Sequence, residues 1–134
     1  MNTVPEKFLP LVTDKKAFAH LATVMPDGTP QVTPVWFMYD EKRNTFIVNT
    51  ARGRVKDRNM QQNAHVALSI IDPDNPYAHI AVRGTIDKVT EDGADANIDA
   101  LAFKYLGQDK YPFRRPGEVR VIYEIAPTSI AAMG

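Results

Sequence analysis

The sequence predicts a mainly β fold with a few helices, in which an antiparallel six-stranded sheet closes into a small barrel. Three observations predict it. Apolar or alternating runs rich in β-branched residues recur through the 134-residue chain. Tight-turn chemistry joins the early runs, and helical patterning is confined to a few short stretches. Closure is expected because it removes the unpaired edges that an open sheet leaves.

The elements follow in order. Residues 5–11 read as a short helix with Pro5 near its first turn. Phe18 to Met25 reads as the first strand, Pro26-Asp27-Gly28-Thr29 as a turn, and Gln31 to Tyr39 as the returning strand. Pro34 lies inside that strand, where it cannot donate to a ladder, so it belongs at an edge or a bulge. Polar residues from Asp40 to Asn44 close a second hairpin onto Thr45–Thr50. A basic helix follows through about Gln62. Ala64 to Ile71 is the fourth strand, and Asp72-Pro73-Asp74-Asn75-Pro76 breaks it. His79 to Val89 is the fifth, with Gly84 marking a bulge or a close approach. Residues 92–106 read as a helix with Ile98, Leu101, Ala102 and Tyr105 on one face and Gly107 as its C-cap. Asp92 and Asp95 near its start read as capping residues. Tyr111 to Gly117 is a loop. Val119, Val121, Tyr123 and Ile125 then alternate with Glu118, Arg120 and Glu124, a half-buried sixth strand.

Length predicts a single domain over residues 1–134 with a core large enough to need no staples. Hydrophobic residues at 44% and charged residues at 24% are ordinary globular values. A formal net charge of zero offers no overall field for nucleic acid. The absence of cysteine excludes disulfides, thiolate metal sites and cysteine nucleophiles. No apolar run is long enough to span a membrane and no signal-peptide layout is present, so the expected location is cytoplasmic. His20, His65 and His79 lack metal-ligand spacing, and no metal site is expected. Asp72, Asp74 and Asn75 are interrupted by proline and do not form a cation loop. No nucleophile triad, Gly-rich phosphate loop or dinucleotide fingerprint is visible.

The segment Thr50-Ala51-Arg52-Gly53-Arg54-Val55-Lys56-Asp57-Arg58-Asn59 carries the strongest chemical signal. Four cations fall where a strand meets a helix start, with a hydroxyl and a glycine among them. A helix N-terminus offers free N–H groups and a favourable dipole, and fixed positive charge completes an anion site. A solvated basic helix face is the competing reading.

The ordered set of segments resembles the split-barrel flavin-binding proteins related to pyridoxamine 5'-phosphate oxidase. His20-Leu21-Ala22-Thr23-Val24 through Asp27-Gly28-Thr29-Pro30 carries the likeness first, then Thr33-Pro34-Val35-Trp36-Phe37. Thr50-x-x-x-Arg54-x-Lys56-x-x-Asn59, His65-Val66-Ala67-Leu68-Ser69 and Ile80-Ala81-Val82-Arg83-Gly84 continue it, and Val121-Ile122-Tyr123-Glu124-Ile125 completes it. Within that family the chain looks most like the branch that uses the deazaflavin coenzyme F-420.

The resemblance implies a split β-barrel, a homodimer and two cofactor sites at its interface. It implies that the cofactor phosphate meets Arg54 and Lys56, supported by Asn49, Thr50, Ala51 and Asn59. It places the ring system along Thr33, Pro34, Val35 and Trp36, and brings Tyr77 and His79 towards the cofactor. Residues read individually have ordinary roles as well: Trp36 as a core or interface aromatic, His79 as a satisfied surface or core histidine on a strand. The loop Tyr111 to Arg115 is expected near the same seam.

The departures sharpen the expectation. Thr33 and Met38 stand where the FMN-binding oxidases carry an arginine and a lysine, and Arg120-Val121-Ile122 does not reproduce their C-terminal Arg-x-His. Pyridoxamine phosphate oxidation is therefore not expected. A broad basic surface of Arg52, Arg58, Arg114 and Arg115 is expected to receive the acidic tail of F-420. Three function classes stand open: a reductase passing a hydride from F-420 to an electron-poor small molecule, an FMN-binding reductase or electron-transfer protein, and a non-catalytic cofactor binder. The catalytic acid is not identified, with His79 and Tyr77 as the nearest candidates.

Overall fold

The computed structural model describes residues 2–134. A single turn of 3-10 helix, Glu6–Phe8, leads into α1, Leu9–Thr13. Pro10 lies in the first turn of α1 and has no N–H to return to the preceding turn, so the expected helix over 5–11 forms as two short pieces. The strands are β1 Ala19–Val24, β2 Pro30–Val35, β3 Phe37–Asp40, β4 Thr45–Ala51, β5 His65–Asp72, β6 Asn75–Thr90 and β7 Arg120–Met133. The longer helices are α2, Val55–Gln62, and α3, Ala94–Leu106.

All strands pair antiparallel in one seven-stranded sheet of order β2-β1-β5-β6-β7-β4-β3. β2 and β3 are the two outer strands, yet only Trp36 separates them in the chain. A sheet whose opposite edges are one residue apart must curl until those edges meet. The result is a barrel with a slit, and the slit lies at Trp36. The strand expected over Gln31–Tyr39 is thus two strands, and the sheet has seven rather than six. Pro34 stands in the edge strand β2, where its missing N–H breaks no inner ladder.

The barrel interior holds Leu21, Phe37, Phe46, Val48, Leu68, Ile70, Ile80, Val82, Tyr123 and Ile125, with Leu11 and Val12 of α1 and Met60 of α2 in the same cluster. Outside the barrel α3 packs on β4 and β7 and buries Ala94, Ile98, Leu101 and Ala102. That cover buries β7 on both faces from Arg120 to Ile125, where alternation alone predicts a half-buried strand. β6 and β7 are also longer than their sequence signals, 16 and 14 residues, because they pair with each other along most of their length. The register shifts at Arg83/Gly84, and a Cβ on Gly84 would lie 2.7 Å from the Ala126 carbonyl oxygen. Gly84 is therefore both a bulge and a close approach.

Gly107 caps α3 in the left-handed region with φ 71°. The N-cap is Gly93, without a side-chain bond, so Asp92 and Asp95 do not cap the helix as expected. Asp95 instead accepts from Arg114 at 2.8 Å. Among the described residues no helix is long and apolar enough to cross a membrane.

Candidate functional site

A cleft of about 190 Å³ opens beside the slit. Its walls are Phe18, Pro34, Val35, Trp36, Tyr111 and Phe113, and its floor carries Asn49, Arg54, Lys56, Ile98 and Arg120. The barrel explains the meeting: β2 runs into Trp36 on one side, β4 runs into α2 on the other, and the loop before β7 folds over both.

The turn from β4 into α2 is built by Asp57. This carboxylate is 1% exposed. It accepts from the Gly53 N–H at 2.9 Å, Tyr123 Oη at 2.6 Å, Gln61 Nε2 at 3.1 Å and Arg52 NH1 at 3.2 Å. Gly53 takes φ 92°, which a side chain would oppose. Burial pushes the Asp57 carboxyl up, but the bonds from Tyr123, Gly53 and Gln61 and the charge of Arg52 outweigh it and hold it below the usual carboxylate range. The bond from Asp57 back to Gly53 closes the helix start in the manner of a capping box, leaving Arg54 and Lys56 on the cleft.

Lys56 is half-buried and has no carboxylate within 4 Å among the described residues. Burial lowers its pKa, and the charges of Arg54 and Arg120 lower it further. Arg54 has one distant partner, Glu118 at 3.8 Å. Arg120 is the residue that sequence reasoning passed over. Its side chain is 2% exposed. NH1 donates to Glu118 at 2.8 Å, Nε donates to Asn49 Oδ1 at 2.9 Å, and the guanidinium lies 5.1 Å from the Tyr111 ring centroid. Asn49 is oriented for this by donating to the Ala94 carbonyl at 2.8 Å and Asn97 Oδ1 at 3.0 Å. Three cations thus face the cleft against one carboxylate. The signal available in the sequence was a single arginine amid apolar neighbours on a strand, which reads as solvent-facing until α3 covers it.

The walls are aromatic. Trp36 stacks parallel on Tyr105 with centroids 5.2 Å apart and meets Tyr111 edge-on at 6.1 Å. Tyr111 meets Phe113 at 5.7 Å. Its backbone N–H is held by Asp99 of α3 at 2.8 Å. A flat, partly apolar group beside an anion matches this pairing of wall and floor. The residues present therefore fit a phosphate-bearing ring cofactor: Lys56 is a desolvated cation still lacking its counter-charge.

Of the residues named from sequence, Pro34, Val35, Trp36, Asn49, Arg54 and Lys56 line the cleft. Thr33 and Thr50 do not, but each carries a buried hydroxyl with no hydrogen-bond partner among the described residues. Ala51 is buried under the helix start. Asn59 is 2% exposed and ties α2 to the first hairpin, donating to Thr23 Oγ1 at 3.0 Å and Met25 Sδ at 3.2 Å. Tyr77 is 80% exposed and His79 half-buried at the start of β6, and neither lines this cleft.

The broad basic surface is not assembled as expected. Arg52 is bonded to Glu91 and Asp57, and Arg114 to Asp95 and Asp99. None of Arg52, Arg58, Arg114 and Arg115 lines the cleft.

The sequence matches the pyridoxamine 5'-phosphate oxidase family over residues 5–134. A solved structure described as an F-420 reductase superposes with a TM-score of 0.81 at 36% identity, over 96% of this chain and 98% of that one. A putative pyridoxamine 5'-phosphate oxidase from Listeria innocua has a TM-score of 0.68 at 20% identity, over 95% of each chain. The general stress protein 26 of Bacillus anthracis has a TM-score of 0.66 at 17% identity, over 95% and 92%. The last two share the fold.

Proposed function

The chain belongs to the pyridoxamine 5'-phosphate oxidase family, and on that premise we propose that it is an oxidoreductase that works with the deazaflavin coenzyme F-420. The single observation that carries the reading is Lys56, a half-buried cation beside Arg54 and Arg120 with no carboxylate of its own among the described residues. A bound phosphate supplies the missing counter-charge. When bound, F-420 supplies two-electron hydride chemistry, here towards an electron-poor small molecule.

The chain's own residues bind and orient. Arg54, Lys56 and Arg120 hold the phosphate, with Asn49 aligning Arg120. Thr33, Pro34, Val35 and Trp36 present the edge along which the ring lies, and Tyr111 and Phe113 exclude water from it. Thr50 and Ala51 shape the strand end, and Asn59 fixes α2 against the barrel. F-420 is preferred because neither Thr33 nor Met38 adds a cation, and because the relative described as an F-420 reductase is 36% identical. One observation favours FMN as the second reading. Three cations against Glu118 leave about two positive charges, and a phosphate monoester carries about −1.5 to −2 at pH 7.

A cleft of about 190 Å³ is below the usual 300–1,000 Å³ of an enclosing ligand site. A second copy of the chain is proposed to cover the remainder as an isologous homodimer. An apolar groove of about 250 Å³ on the outer face, lined by Ala22, Val32, Ala67 and Ala81 among others, supports such a contact. Tyr77 and His79 are proposed to reach the partner's cofactor, and the working location is the cytoplasm, away from membranes and nucleic acid.

Side-by-side fluorescence titrations with F-420 and FMN test the reading, with light scattering of the same samples. Tighter binding of F-420 by a particle of twice the 15.0 kDa chain mass is expected. A clear preference for FMN reverses the cofactor, and a monomer that binds at full affinity removes the partner from the site.

A further inference from the structure

The slit is closed by side chains of α3 rather than by strand pairing. Phe37 opens β3 at the edge of the sheet. Its N–H donates to Tyr105 Oη at 3.3 Å, and its carbonyl accepts from Lys104 Nζ at 3.1 Å. Tyr105 Oη in turn donates to the Ala17 carbonyl at 2.5 Å, just before β1. One hydroxyl thus bridges the two sides of the slit. Burial pushes that hydroxyl up to about 12, so it stays a donor across the working pH range. Lys104 adds a second hold, with Nζ 4.8 Å from the Phe37 ring centroid and 4.9 Å from that of Tyr105.

The same tyrosine supports the cleft wall. Its ring lies parallel to Trp36 within 5° at 5.2 Å and meets Phe18 edge-on at 5.4 Å. Trp36 and Phe18 both line the cleft. Trp36 is the one residue between two strands, so no ladder on its own position fixes its backbone, and the ring of Tyr105 does that work from α3.

We propose that Tyr105 is a positioning residue: it clamps the slit between β2 and β3 and holds Trp36 as a rigid wall against which a flat cofactor ring seats. The inference rests on the cofactor reading above. The cations Arg54 and Lys56 stand on α2 and its N-terminal cap. Loosening the clamp is therefore felt at the ring and not at the phosphate.

Trp36 is the only tryptophan in the chain, so its emission anisotropy and near-UV circular dichroism report the wall directly, in protein free of cofactor. Tyr105→Leu is expected to lower both signals and to raise the dissociation constants of F-420 and FMN roughly fivefold, the scale of one lost aromatic pair. Inorganic phosphate is expected to bind the variant as it binds the parent. Tyr105→Phe keeps the stack and loses the bridging bonds, so amide exchange at Phe37 quickens while most of the Trp36 signal remains. Unchanged anisotropy and dichroism in Tyr105→Leu overturn the proposal, as does equal weakening of the cofactors and of phosphate. Should Tyr105→Leu fail to fold, Phe37 exchange in Tyr105→Phe decides, and unchanged exchange refutes the clamp. If the parent binds neither F-420 nor FMN, the cofactor reading falls, while the Trp36 signals of the free protein still decide whether the clamp exists.

Discussion

Replacing Lys56 by alanine removes the cation on which the anion site depends. At about 4 Å and an effective dielectric near 20, one charge pair is worth about 4 kcal/mol before desolvation. The net value of a bond to a charged group is about 1.5–3 kcal/mol. Lys56 sits towards the favourable end because folding has already taken it partly out of water, so binding forfeits less of its hydration. Arg54 is different: its side chain is 44% exposed and it already faces Glu118 at 3.8 Å. A cation that exposed contributes at most about 1 kcal/mol to an ion pair. The expected order is therefore a loss of roughly ten- to hundredfold in cofactor affinity for Lys56→Ala, and under about fivefold for Arg54→Ala. The fold responds in the opposite sense. Folding lowers the Lys56 pKa below its unfolded value, so the folded state is penalised for charging it. That penalty develops as pH falls from the ordinary 10.5 towards the lowered folded value, and it is fully present below that value. Lys56→Met, which keeps the apolar stem, is thus expected to leave the thermal midpoint of the free protein unchanged or higher while weakening the cofactor. By the same sign, affinity in the parent falls as pH rises through the Lys56 pKa, below its ordinary 10.5. Fluorescence titration and thermal melts on the same samples make the measurement. An undiminished affinity in folded Lys56→Ala refutes the anion site, and a sharp loss of stability in Lys56→Met refutes the account of Lys56 as a strained cation.

Other outcomes follow from the scaffold around the site. Asp57→Asn is expected to cost about 2–4 kcal/mol in denaturant unfolding, because a buried acceptor of four hydrogen bonds becomes a mixed donor and acceptor facing donors. The Asp57 carboxyl is lowered on folding, so its contribution is present above about pH 4 and is lost as pH falls through the folded value; the variant should lack that part of the acid transition, and an identical acid profile would contradict the network. Gly84→Ala brings a methyl to 2.7 Å from a backbone carbonyl and 2.8 Å from Ile125 Cγ2. It should lower stability by about 1–3 kcal/mol, and a neutral effect on the melting temperature would show that β6 and β7 separate easily there.

Much of the fold was legible because it rests on local rules. Alternation and β-branched residues mark β1, β4 and β5, Gly107 marks the end of α3, and the basic run after Thr50 marks the start of α2. What alternation missed has one cause, the second layer. Arg120 and Glu124 read as the wet face of a strand, yet α3 lies over that face and both are buried. The cations of the basic run were equally indistinguishable by composition. Arg52 turns to Glu91 and Asp57, Arg58 stays outside the cleft, and only Arg54 and Lys56 reach it.

The amino-acid order by itself determined that this is a mainly β chain, that Thr50–Asn59 concentrates positive charge at a strand-to-helix junction, and that the ordered segments resemble one cofactor-binding family. These are properties of spacing and composition, which survive without coordinates. Tertiary structure alone decided which distant residues share the cleft. Phe18, just before β1, shares the cleft with Lys56 and Arg120 only because the sheet curls until its two edges meet. Arg120 becomes a third cation only because α3 shuts out water on one side and Glu118 with Asn49 holds the guanidinium on the other. Curling and covering are set by long-range packing, and a local pattern records which residues prefer burial without recording what will bury them.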